Sequence, residues 1–322
     1  MIRVWITAGF SQTGVQNMRT LVIGDLNVDM IVTGAPQLPI LGHEISCEDI
    51  RTVMGGAASI FACRLGQLGA GVDIFGKVGS DSNGRVVLET LKSSNVGIEK
   101  VRVLESIKTG ITISLTYPEN KALITYTRGI DTLTSSDVDS ELFSGYNHLH
   151  ISSIYILRKL LVSLHEIFAE AKKQGLTTSL DTNADPSNKY EYIDEILNYV
   201  DIFLPNDKEA KDITDSRSVQ SALKRLSSKV PVVVMKCGEQ GAIGKHSDRI
   251  IQAEPIGIKP IDTTGAGDSF DAGFIYQFVH KKEEFGASMK FANALGALSC
   301  LYVGGAEERI TEADVLNFMS QH

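Results

Sequence analysis

The second half of this chain has a rhythm that allows few folds. Four short apolar runs, "HLHISSI" (148–154), "TTSLDTN" (177–183), "DIFLPN" (201–206) and "VPVVVMKCG" (230–238), each finish near polar residues, and stretches of helical character at 158–174, 207–213 and 217–229 separate them. Strands apolar on both faces that alternate with helices predict a mostly parallel sheet covered on each side. Ligands of such sheets bind outside the carboxyl ends of the strands. Those ends here carry Asp181, Asn183, Asn206, Lys236 and Gly238.

The front half reads as strand, turn and extended chain at "TLVIGDLNVDMIV" (20–32), a helix in "GGAASIFACRLGQLGA" (55–70), a strand in "GVDIFGKVG" (71–79) and a helix in "DSNGRVVLETLKSSNVG" (81–97). Segments 101–106, 110–117 and 121–127 alternate as sheet around a turn at Pro118-Glu119-Asn120. The final third adds "IIQAEPIGI" (250–258) and helices at about 267–280 and 286–302. No repeat or flexible linker interrupts the chain, which predicts one domain over 19–322 with a small β appendage from about 31–53 and 106–128. Residues 1–18 read as an N-terminal extension.

A net charge of −8 argues against a basic face for nucleic acid or an anionic membrane. No apolar run approaches the roughly 20 residues of a membrane span, and the N-terminus has no convincing cleavage site. The four cysteines are far apart and form no C-x-x-C pair, so a zinc site is not expected and reduced cytoplasmic thiols are.

Chemistry concentrates in "DTTGAGDSFDAGF" (262–274). Phe270, Phe274 and Phe278 recur every four residues, the mark of a helix, and the first N–H groups of a helix lack internal partners. Gly265-Ala266-Gly267 would let those groups converge on an anion without side-chain obstruction. Asp268 beside such a hole is useful if it takes a proton from a nucleophile attacking that anion; it could equally do no more than favour the helix dipole. The stretch is not a Walker A motif, and Phe270 stands where G-x-G-x-x-G needs its third glycine.

The longer string "DTTGAGDSFDAGFI" resembles the second signature of the ribokinase-like (PfkB) carbohydrate kinases. The other landmarks follow in order: "GDLNVD" resembles the sugar-binding strand and turn, "GGAASIFACRLGQLG" the first signature, "LPNDKEA" an N-x-x-E element as Asn206 and Glu209, "KCGEQGA" (236–242) the nucleotide-binding turn, and "FANALGALSCLYVGGA" (291–306) the helix bordering the adenine. The resemblance covers about residues 20–320. It implies a ribokinase-like three-layer α/β/α fold with a mostly parallel central sheet and a small β-sheet lid. It also implies ATP-dependent phosphorylation of a hydroxyl on a small sugar or sugar-like molecule.

The resemblance assigns roles residue by residue. Asp268 would be the base, and the N–H groups of Gly265, Ala266 and Gly267 would stabilise the transferring phosphoryl group. Asn206 and Glu209 would order water around Mg2+; the residues alone also fit an N-cap with its capping box. Asn27 and Asp29, alternating on extended chain, would bind sugar hydroxyls, with Gly55 and Gly56 letting the backbone approach and Arg128 meeting an anionic group. Lys236, Gly238, Gly241, Thr264 and Asn293 would lie on the ATP side, although Gly238 and Gly241 also suit a hairpin turn. Asp262 and the Thr264 carbonyl match positions that hold a monovalent cation such as K+ in many relatives. A homodimer through the lid would follow, and Asp271 would cap or pair locally.

One position departs from the pattern. The first signature usually has asparagine five residues after its first glycine, and this chain has Ile60. That predicts a substrate with an apolar edge or a missing hydroxyl there, and it keeps a nucleoside kinase of the same fold in view. His150, Ser152, Asp181 and Asn183 could face substrate or serve as scaffold. A non-catalytic sugar-binding regulator is disfavoured by the intact Asp268 and glycines, and a dinucleotide-binding oxidoreductase by the missing glycine motif.

Overall fold

The computed structural model describes residues 18–117 and 121–322. The expected extension, apart from Met18, and the turn at Pro118-Glu119-Asn120 lie outside the described residues.

The strands are β1 (Arg19–Ile23), β2 (Asn27–Thr33), β3 (Asp49–Gly55), β4 (Gly71–Phe75), β5 (Lys77–Gly79), β6 (Arg102–Leu104), β7 (Gly110–Thr116), β8 (Lys121–Tyr126), β9 (His148–Ser152), β10 (Thr177–Asp181), β11 (Ile202–Phe203), β12 (Val232–Lys236), β13 (Ala242–His246) and β14 (Arg249–Ala253). Among the described residues, eight of them form the main sheet in the order β14-β13-β12-β11-β10-β9-β1-β4. Pairing is parallel from β12 across to β4, and β13 and β14 close the far edge antiparallel. A smaller sheet has the order β3-β2-β7-β8, and β5 pairs with β6.

The helices are α1 (Ala57–Gln67), α2 (Ser82–Ser93), α3 (Arg158–Leu161), α4 (Leu164–Lys173), α5 (Ile193–Leu197), α6 (Asp207–Thr214), α7 (Val219–Leu226), α8 (Ala266–Ile275), α9 (Phe285–Ser299) and α10 (Glu312–Gln321). The period-2 geometry of the strands divides the core between them. Val22, Val232 and Val234 join residues of α1, α2, α8, α9 and α10 in one cluster. Leu21, Ile23, Leu149, Ile151, Leu180, Val233 and Met235 join α3 to α7 in the other. The same alternation turns His148, His150, Ser179, Asp181 and Lys236 toward the α1/α8 face. A charged group there must find partners from the covering helices.

Two local differences from the sequence expectation have physical causes. The helix expected over 158–174 splits at Val162 and Ser163, where a β-branched residue precedes one that competes for backbone hydrogen bonds. Strand β13 was not expected, because Gly244 in its middle weakens a strand signal. Glycine is needed there: a Cβ would stand 2.8 Å from Phe285 Cζ, so α9 can approach the sheet only over a bare backbone. No helix among the described residues is long and apolar enough to cross a membrane.

Candidate active site

Gly265 is the N-cap of α8, in the left-handed region at φ 72°, and no side chain caps the helix. A Cβ at 265 would lie 2.8 Å from Gly305 Cα and 3.0 Å from Ile60 Cγ2, so both backbone and space demand glycine. Of the three N–H groups expected at the hole, that of Ala266 turns back to the Thr263 carbonyl at 3.3 Å.

Asp268 sits in the first turn of α8 and is partly accessible. Desolvation pushes its carboxyl up to about 7; the charge of Asp181 adds to this, Lys236 opposes it, and Asp25 and Asp29 add further. Asp268 therefore feels the sugar-side acids and the lysine at once. A carboxylate with a pKa near neutrality is suited to accept a proton at physiological pH.

Asp271 corrects an expectation. It pairs not with its own helix but with Lys236, the last residue of β12: Nζ lies 2.9 and 3.1 Å from the two Asp271 oxygens and 2.8 Å from Asp181 Oδ2. The two aspartate side chains are 2% and 1% exposed and the lysine 12%. Burial works against the ammonium, but Asp181, Asp271 and then Glu209 outweigh it and hold Lys236 above its ordinary pKa. Asp181 is held below the usual carboxylate range, its burial overcome by Lys236, whereas burial drives Asp271 well above it.

Asn206 and Glu209 form a complete capping box on α6. Asn206 Oδ1 accepts from Glu209 N at 2.8 Å, and Glu209 Oε2 accepts from Asn206 N at 3.0 Å. An isolated bridge joins Asn206 to Lys236. Burial, then Asp181, raises the Glu209 carboxyl to about 7. Among the described residues no group of three or more His, Cys, Asp or Glu is placed to hold a metal ion. The hard oxygens of Asn206 and Glu209 suit Mg2+ that keeps most of its waters.

At the start of β2, Asn27 Nδ2 lies 3.3 Å from Asp29 Oδ1, and the buried Asn27 Oδ1 has no hydrogen-bond partner among the described residues. The glycine pair makes room for these two side chains: a Cβ at Gly55 would stand 2.3 Å from Asp29 Oδ1, and one at Gly56, at φ 89°, 2.7 Å from Asn27 Oδ1. Asp25, in the quoted "GDLNVD" but not singled out there, accepts from the N–H groups of Ala57 and Ala58, both at 3.1 Å, and so caps α1 from the turn between β1 and β2. Arg128 is exposed beyond β8.

Several candidates make contacts within the fold. His150 is buried, stacked on Phe61 with ring centroids 3.7 Å apart, and its Nδ1 lies 2.8 Å from Ser179 Oγ. His148 meets the same hydroxyl through Nε2 at 2.8 Å and Thr177 Oγ1 through Nδ1 at 2.7 Å. Ser152 is also buried, and Asn183 donates to Ser153 Oγ at 2.8 Å. Asp262 accepts from Thr264 N and Oγ1 through one oxygen and from Gly304 N through the other, which joins the loop before α8 to the glycines after α9. Gly238 and Gly241, both at positive φ, turn β12 into β13, and Asn293 donates to the Glu254 carbonyl at 2.6 Å.

Ile60 corrects a second expectation. It is 3% exposed and packs under Gly265 and Gly305, because α1 presents that position to the glycine loops rather than to the sugar side. The sequence reading also missed Arg64, one turn along α1. Fully buried, it reaches the Gly305 and Glu308 carbonyls at 2.8 and 2.6 Å, Gln67 Oε1 at 2.8 Å and Ser269 Oγ at 3.3 Å. A charge inside the apolar string "IFACRLGQL" was its available signal.

Comparison with known proteins gives the family and the fold. The pattern of the pfkB family carbohydrate kinases matches residues 19–312. An uncharacterized sugar kinase of Archaeoglobus fulgidus is 29% identical over 251 residues, 76% of this chain and 96% of that one. An ATP-dependent 6-phosphofructokinase of Thermoanaerobacterium thermosaccharolyticum is 27% identical over 88% of each chain. The structure of Arabidopsis thaliana ribokinase complexed with ribose and ATP superposes with a TM-score of 0.79 at 23% identity, covering 94% of this chain and 98% of that one. The ribokinase fold expected from the sequence is the fold observed.

Proposed function

Because this chain belongs to the pfkB family of carbohydrate kinases, and is thus an ATP-dependent carbohydrate kinase, we propose that it phosphorylates a hydroxyl of a small sugar or sugar-like molecule with Asp268 as the base. The observation that carries this reading is Asp268 in the opening turn of a helix whose cap is bare glycine, with its carboxyl raised to about 7.

Asn27 and Asp29 orient the sugar through its hydroxyls, held apart from α1 only by Gly55 and Gly56. Asp268 takes the proton from the attacking hydroxyl as its oxygen meets the terminal phosphorus of ATP. The N-terminus of α8, with Gly265 and Gly267, meets the charge that develops on the phosphoryl oxygens, the electrostatic contribution that dominates such transfers. Mg2+, when bound, screens the ATP phosphates; Asn206 and Glu209 hold its water shell. Lys236, Gly238, Gly241, Thr264 and Asn293 border the nucleotide. Arg128 and the small sheet close over the sugar and exclude water, and the outer face of that sheet pairs two subunits. K+ binding near Asp262 is part of the same reading, as is a cytoplasmic location.

The nucleoside alternative loses its particular support, because Ile60 packs on glycines and offers no apolar edge to a base. The phosphofructokinase and the ribokinase above are named for different sugars, so the substrate is to be found by screening. ADP release from ATP and Mg2+ with a panel of pentoses, hexoses, sugar phosphates, sugar acids and nucleosides tests the proposal. Turnover of a sugar or sugar derivative that disappears in Asp268→Asn supports it. Turnover confined to nucleosides, or unchanged in the variant, overturns it.

A further inference from the structure

Lys236 enters the mechanism above only as a border of the nucleotide, and Asp181 and Asp271 not at all, yet the geometry of this triad points to a specific task. The aspartates are too deeply buried to meet a ligand, at 2% and 1% exposure, while the lysine side chain keeps 12%. The acids therefore form a seat, and the ammonium is the part of the triad that reaches the site. Its place along α8 is tightly bounded. Asp271 holds it one turn inside the helix, and a side-chain atom added at Gly267 would fall 3.6 Å from Nζ and 3.8 Å from Cδ and Cε. The end of Lys236 thus lies against the opening turn that carries Asp268. On its other side, the backbone bridge to Asn206 ties the same residue to the N-x-x-E element.

We propose that Lys236 is a fixed cation for the terminal phosphate of ATP, the group by which this enzyme distinguishes ATP from ADP, and that Asp181 and Asp271 are positioning residues that act through it. The inference rests on the function proposed above. Phosphoryl transfer to a hydroxyl beside Asp268 requires the last phosphate of ATP to reach the mouth of α8, where this ammonium is held, and the phosphates of ADP stop short of that point. An immobilised charge among buried partners needs no rearrangement when the phosphate arrives, which makes it more effective than a mobile surface lysine. A purely structural lysine, present only to neutralise two buried acids, is the competing explanation, and it predicts no preference between nucleotides.

The test compares the binding of Mg2+–AMP-PNP and Mg2+–ADP by calorimetry in the parent and in K236Q and K236M, alongside thermal melts. We expect AMP-PNP affinity to fall about 10–100-fold, what a hydrogen bond to a charged group contributes, with ADP affinity changed less than about threefold. Asp271→Asn leaves the lysine in place on a weakened seat, and should give a smaller loss in the same direction. It also keeps the test decisive if neither Lys236 variant folds. Equal losses for the two nucleotides, or unchanged affinities with a lowered melting temperature, would overturn the assignment and leave only charge neutralisation. A parent protein that binds neither nucleotide would overturn the kinase reading itself, an outcome distinct from the other two.

Discussion

Ile60 lies directly under Gly265: a Cβ on that glycine would stand 3.0 Å from Ile60 Cγ2, and one on Gly305 would stand 2.3 Å from Ile60 Cδ1. The residue that departs from the family pattern therefore supports the glycine loop that opens α8. Ile60→Asn should lower kcat for every accepted sugar by a similar factor and cost about 1–3 kcal/mol of stability, the penalty of a buried amide without partners. A substrate panel and a thermal melt check this together; a reordered panel would instead place residue 60 against the sugar.

Asp268→Asn should reduce kcat by roughly 10²–10⁴, the contribution of a positioned general base, with ATP affinity kept. In the parent, kcat/KM should fall on the acid side of about 7, where the carboxyl gains its proton. A flat profile between pH 5 and 8 would remove Asp268 from the proton transfer.

The same raised pKa has a stability consequence. Between the ordinary aspartate value of 3.8 and about 7, the folded chain keeps a proton on Asp268 that the unfolded chain releases. This contribution to stability is complete at the acid end and is lost as pH rises through about 7. The Asn variant does not titrate, so its melting temperature should gain on the parent's between pH 5 and pH 8. Parallel melting curves across that window would contradict the assignment.

Glu209→Gln keeps the acceptor for the Asn206 N–H, loses the bond from Asn206 Nδ2 to the second carboxylate oxygen, and removes the charge. The Mg2+ concentration for half-maximal rate should rise several-fold, with a modest fall in melting temperature. Glu209→Ala should in addition lose about 1 kcal/mol of cap stability. An unchanged magnesium titration would leave Glu209 as a cap alone.

Arg64→Leu should cost about 1–3 kcal/mol, because it strands the buried carbonyl of Gly305 and removes one donor each from the Glu308 carbonyl and from Gln67 Oε1, which keeps its bond from Ile310 N. Since Arg64 ties α1 to the loop beneath Gly265 and to Ser269 on α8, kcat should fall with stability. Denaturant unfolding and steady-state rates at low temperature measure the two effects separately.

What could be read from the sequence follows the range of the interactions. The helix start at 262–274, the N-x-x-E spacing and the glycine pair at 55–56 are local patterns, legible because capping, turn geometry and close approach act over a few residues. The main strands were legible from apolar runs. Lys236–Asp271 joins residues 35 apart, and Arg64–Gly305 residues 241 apart. Both depend on which strand and helix faces meet, which no local pattern records. Ile60 was misjudged for the same reason: its spacing placed it on α1 beside the site, but only the packing shows which glycines it touches.

The shared contact of His148 and His150 with Ser179 has a consequence for proton bookkeeping. Both imidazoles are held neutral by burial, with His150 down at about 3 and His148 well below its ordinary value. Ser179 has a single hydroxyl proton, and the two ring nitrogens are its described partners. If the hydroxyl donates to His150, His148 must donate through Nε2 and both rings carry their proton on Nε2; if it donates to His148, both carry it on Nδ1. The two rings are bound to the same tautomer, so a change in one obliges the other, and β9 and β10 hold a two-state register written in hydrogen positions alone.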